Sequence, residues 1–123
     1  MSAIAFGKLM KSLRRKSGKT MRDFCLENKL DPGNYSRLER GMFPPPQRED
    51  LLEKYAIALG LARGSEDWLE FFDVAAACRG ELPHDLSNDE RLLEKLPVLF
   101  RTLRGSQVSP EKLDDLIEKI RKA

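Results

Sequence analysis

The stretch from Thr20 to Gly41 is punctuated so tightly that it allows little besides two short helices joined by a turn. Thr20 is an N-cap residue type, able to accept a backbone N–H from the first turn of a helix whose apolar positions Met21, Phe24 and Cys25 lead on to Leu30. Asp31-Pro32 then supplies a second cap, followed by proline at the first helical position, where its missing N–H costs nothing. Gly41 closes this second helix, which spans about Pro32 to Arg40. Tyr35 and Leu38, three apart, face a core and leave Gly33, Asn34, Ser36, Arg37 and Arg40 outside. Asn34 and Arg37 are also three apart, so they share the outer face.

The rest of the chain has helical apolar spacing and few β-branched residues, so the expected fold class is all-α. A helix from about Ile4 to Lys16 turns Phe6, Leu9, Met10 and Leu13 inward and ends at Gly18. Pro44-Pro45-Pro46 reads as a rigid connector aiming the next helix, or alternatively as a Pro-rich ligand for an aromatic groove. That next helix runs from about Arg48 to Leu59, with Leu51, Leu52, Tyr55, Ala56 and Leu59 inward and Gly60 behind it. A fifth opens on the cap Ser65, followed by Glu66 and Asp67 at the positive end of its dipole, and reaches about Cys78. Its residues Trp68, Leu69, Phe71, Phe72, Val74 and Ala75 cover more than one face. After a polar stretch with Pro83, His84, Asp85 and Ser87, a helical region spans about Asn88 to Arg104, and Pro97 is expected to kink or split it. Ser109-Pro110 starts a last helix with an apolar stripe of Leu113, Leu116, Ile117 and Ile120, which must pack on its own domain or on a second copy. The expected organisation is a domain over residues 1–80 and a helical extension over 81–123.

Charge is distributed unevenly. Residues 1–45 carry ten Lys or Arg against four Asp or Glu, a balance of +6, whereas the remainder carries twelve against sixteen, a balance of −4. A basic face is what phosphate binding needs, because neutralising phosphates releases condensed counterions. Arg14, Arg15, Lys16 and Lys19 close the first helix, where they either reach phosphate or simply complement the helix dipole; Lys8 and Lys11 read as solvated. At 123 residues a large multidomain enzyme is excluded, and 41% hydrophobic residues argue against global disorder. No stretch approaches the roughly 20 apolar residues of a membrane span, and the apolar run Ile4-Ala5-Phe6 is too short for a signal peptide, so a cytoplasmic protein without membrane contact is expected. Cys25 and Cys78, far apart, fit neither a disulfide framework nor metal spacing; both are expected reduced and buried.

The segment Thr20 to Gly41, and above all Tyr35-Ser36-Arg37-Leu38-Glu39-Arg40-Gly41, resembles the helix-turn-helix of phage-repressor-type regulators, the XRE or Cro/C1 family, over about Phe6 to Leu61. The resemblance implies a five-helix repressor-like domain whose third helix enters the major groove of double-stranded DNA. The implied DNA-binding residues are Thr20 and Arg22 on the second helix and Pro32, Gly33, Asn34, Ser36, Arg37 and Arg40 on the third. An Asn amide pairs with adenine and an Arg fork with guanine, so Asn34 and Arg37 are the expected base readers. Ser36 and Arg40 are assigned to phosphate or to their neighbours, and Glu39 to a structural role, since a carboxylate facing phosphates would repel them. An intramolecular pair of Arg37 with Glu39 or Asp31 is the alternative for that arginine. Met21 stands where the family commonly has Gln, and Lys29 where glycine is common, which predicts a mildly strained turn with Asn28 beside it able to tolerate unusual backbone angles.

No catalytic constellation, phosphate loop or metal spacing is present, His84 has no partner at metal spacing, and neither enzymatic activity nor a cofactor is expected. Two functions remain. One is a transcriptional regulator, a repressor, whose homodimer binds half-sites about 34–36 Å apart in a palindromic operator. The other is an antitoxin that holds a toxin through its C-terminal half and represses its own operon.

Overall fold

The structure is a computed structural model and describes residues 1–105 and 109–122. Among them every regular element is an α-helix: α1 (Ala3–Lys16), α2 (Met21–Glu27), α3 (Pro32–Glu39), α4 (Glu49–Ala58), α5 (Glu66–Cys78), α6 (His84–Ser87), α7 (Glu90–Gly105) and α8 (Pro110–Lys122). The chain divides into two compact units, Met1–His84 and Asp85–Ala123.

In the first unit the caps form as their residue types dictate. Thr20 accepts from the Asp23 N–H at 3.2 Å, Asp31 from the Asn34 N–H at 2.9 Å and Ser65 from the Trp68 N–H at 3.2 Å. α1 packs on α3 and α5, α2 packs on α3, and α4 packs on α5. Between them lies one core containing Phe6, Met10, Phe24, Cys25, Tyr35, Leu38, Leu52, Ala56, Phe71 and Ala75. Its rings meet at a tilt, with centroids 5.2 Å apart for Phe6 and Phe71 and 4.9 Å for Phe24 and Tyr35, within the distance range that aromatic pairs prefer. The α1–α3 crossing is close enough to need a residue without a side chain. A Cβ added at Gly7 would lie 2.3 Å from the Glu39 carbonyl oxygen, an impossible contact. Of the apolar residues predicted to spread round α5, Trp68, Phe71 and Ala75 are buried while Leu69 stays exposed.

In the second unit none of the described helical residues is buried. α8 starts as expected, with Ser109 Oγ accepting from the Lys112 N–H at 3.3 Å. Its stripe of Leu113, Leu116, Ile117 and Ile120 lies exposed. One expectation is narrowed and two need correction. Pro97 does not split its segment, because α7 runs through it; the Leu93 carbonyl that loses its helical donor sits in a helix with no buried residue. The stretch after Pro83, read as merely polar, contains the single turn α6. Cys78 is half-exposed, its thiol 3.0 Å from the Ser2 carbonyl oxygen, whereas Cys25 is buried and burial pushes its thiol pKa up, which keeps it protonated. No described helix is long and apolar enough to cross a membrane.

Candidate nucleic-acid interface

α3 is held by its inner face and offers its outer one. Tyr35 and Leu38 are buried, as their spacing predicts, and Glu39 joins them at 6% exposure. Pro32, Gly33, Asn34, Arg37 and Arg40 are exposed and Ser36 is half-buried. The outer face thus keeps the membership that the sequence implies. Arg37 forms no ion pair with Glu39 or Asp31; its Nη1 instead donates to Asn34 Oδ1 at 3.3 Å, which joins the two candidate base readers. Asp31 is engaged as the cap of α3.

The anchor beneath this face is an ion pair that helical periodicity does not reveal. Arg14 Nε and Nη2 donate to Glu39 Oε2 and Oε1 at 2.8 and 3.0 Å, and Arg14 Nη1 donates to the Lys19 carbonyl at 3.0 Å. Of the four cations that close α1, Arg14 is therefore turned inward and unavailable to phosphate. Lys19 is paired with Glu27 at 2.6 Å, and Arg15 and Lys16 are exposed. The structural role assigned to Glu39 has its partner here, 25 residues away in sequence. Tyr35 Oη is buried with no hydrogen-bond partner. Desolvation, with the Glu39 carboxylate beside it, raises the Tyr35 phenol far above its ordinary range.

Thr20 spends its side chain as the α2 cap, and Arg22 is exposed two residues along. Arg22, Cys25, Leu26, Lys29, Leu30 and Pro32 line an open cleft of about 430 Å³, so of the α2 and α3 candidates only Arg22 and Pro32 share this depression. The turn between these helices puts the strain on Lys29 itself, at φ 55°, while Asn28 keeps an ordinary negative φ of −102°. Two further features were not anticipated. Met42 and Phe43 are exposed directly after α3, and Lys8, Lys11, Ser12, Arg15 and Lys16 line a shallow depression on the outer face of α1. Among the described residues no group of three or more His, Cys, Asp and Glu is placed to hold a metal ion. Compared with models of known families, with curated proteins and with solved structures, the chain matches none of them.

Proposed function

We propose that this chain is a sequence-specific DNA-binding transcriptional regulator, a repressor that binds a palindromic operator as a homodimer through a repressor-like helix-turn-helix formed by α2 and α3. The observation that carries the reading is α3 itself, with Tyr35, Leu38 and Glu39 locked inward and Asn34, Arg37 and Arg40 in solvent. An α-helix with its side chains is about 10–12 Å across and the major groove about 12 Å wide, so the outer face of α3 could meet base edges without distortion. The excess of cations in residues 1–45 supplies the sequence-independent attraction to phosphate, with Arg22 and Arg40 flanking the reading residues. Homodimerisation is supported by the exposed stripe of α8, and the half-sites of a two-fold pair lie about 34–36 Å apart. The same stripe favours a second reading, an antitoxin whose extension holds a toxin. In neither reading is the chain an enzyme.

Fluorescence anisotropy with the DNA upstream of the gene, over a range of salt, tests the proposal. The expected result is a specific site whose affinity falls with salt, and an Arg37→Ala variant that loses about 5- to 150-fold on that site and little on random DNA. Equal loss on both would remove Arg37 from base reading. A monomeric mass by light scattering, with a co-purifying product of a neighbouring gene, would favour the antitoxin.

A further inference from the structure

We infer that Asn34 positions Arg37 and does not read adenine, so that the two side chains act as one guanine-reading unit; this rests on the DNA-binding reading above. Spacing alone leaves two independent readers, Asn34 for adenine and Arg37 for guanine. A bidentate adenine contact needs Asn Oδ1 to accept from the N6 amino group while Nδ2 donates to N7. Here Arg37 Nη1 already donates to Oδ1 at 3.3 Å, so an arriving amino group meets a competing donor and a positive charge. Guanine presents two acceptors, O6 and N7, at the same groove edge. The donors that remain on Arg37, together with Asn34 Nδ2, suit that edge and no other purine's.

The backbone beneath shows where the guanidinium lies. A Cβ at Gly33 would lie 3.6 Å from Arg37 Nη1 and 3.4 Å from Asp31 Oδ2, so the guanidinium lies back over the first turn of α3. Asn34 is held at both ends, by its backbone N–H to Asp31 at 2.9 Å and by its side-chain oxygen to Arg37. No carboxylate of the described residues forms an ion pair with Arg37, which leaves its charge available to the groove. A fork restrained in this way has less rotamer freedom to lose on binding than a free arginine.

The test is selection of sites from a random duplex library by the full chain, followed by affinities on single-base variants of the selected site. The proteins are wild type, Arg37→Ala, Asn34→Ala, the double variant and Asn34→Asp. Both alanine variants are expected to relax the same G·C pair, with about 5- to 150-fold discrimination lost there, and the double variant to lose no more than Arg37→Ala alone. Asn34→Asp keeps an acceptor for the guanidinium but has no donor for adenine N7. It is expected to retain the guanine preference at lower overall affinity. Relaxation of a separate A·T pair by Asn34→Ala, or loss of the guanine preference in Asn34→Asp, overturns the unit while leaving DNA binding intact. A wild-type chain that enriches no site overturns the DNA-binding reading, and this inference with it.

Discussion

Replacing Arg14 with methionine isolates the energetics of the anchor beneath α3. The Arg14–Glu39 pair is bidentate, at 2.8 and 3.0 Å, and the two side chains are 9% and 2% exposed. Arg14→Met keeps most of the stem's packing but strands the Glu39 carboxylate in the interior, which costs about 3–5 kcal/mol. The exposed pair Arg48–Asp50 gives the contrast: water and salt screen it, so losing a pair of that kind leaves the unfolding midpoint nearly unchanged. Domain stabilities are about 5–15 kcal/mol, so the buried loss is a large fraction of the whole. Trp68 is the only tryptophan and is packed against the core, which makes its fluorescence a direct reporter of urea unfolding. With a slope near 2 kcal/mol per molar urea, the midpoint is expected to fall by about 2 M. The double variant Arg14→Met/Glu39→Leu removes both charges, and its midpoint is expected to return to within about 0.5 M of wild type or to exceed it. A single-variant shift below about 0.5 M, or a double variant no more stable than the single, would refute the assignment of a desolvated pair.

Two further outcomes follow from the same neighbourhood and from the turn. The Tyr35 phenol is raised above its unfolded value of about 10, so the folded state holds a proton that the unfolded state releases. Stability from this group is therefore complete below pH 10 and is lost above it, at about 1.4 kcal/mol per pH unit; Tyr35→Phe removes that dependence and also an unpartnered buried hydroxyl. Subtracting the unfolding free energies of the two proteins between pH 8 and 11 isolates the effect, and identical slopes would disprove it. Lys29→Gly relieves a left-handed backbone at φ 55° costing about 1–2 kcal/mol, offset by about 0.4–1 kcal/mol of extra unfolded-state freedom. A net gain of about 0.5–1 kcal/mol in urea unfolding is expected, and a loss would show that the Lys29 side chain contributes contacts that outweigh the strain.

The sequence makes local features legible and leaves pairings hidden. Thr20, Asp31 and Ser65 announce their caps because a cap is decided within four residues, and each accepts the backbone N–H three positions on. The inward set of α3 is equally plain from the spacing of Tyr35 and Leu38. Arg14 is not, because an arginine in the basic last turn of α1 looks the same whether it faces water or Glu39, and only the α1–α3 crossing decides. That crossing is itself set by Gly7, which in a helix reads as a weak position until the Glu39 backbone is seen against it. The left-handed residue of the turn was placed by the neighbouring backbone rather than by side-chain preference. Leu30 N–H closes onto the Cys25 carbonyl at 2.9 Å, and Met42 N–H onto the Arg37 carbonyl at 2.9 Å; both closures require the residue just before to be left-handed, and α3 has Gly41 there where α2 has Lys29. Asn28, although better suited chemically, sits one position too early.

The second unit leaves an apolar face open. α8 is thirteen residues long, near the lower limit at which an isolated helix holds in water, and most helical stability in proteins comes from burying an amphipathic face. Its four stripe residues are between 39% and 66% exposed. A surface that remains open in the single chain and repeats at helical spacing is suited to closure by association, and each side chain buried in that way contributes about 1–3 kcal/mol. In the proposed homodimer two copies would meet on this stripe, and a second half-site would multiply the discrimination of an eight-residue helix that makes few base contacts. Under the proposed function the exposed stripe and the short α3 are complementary deficits that self-association would answer.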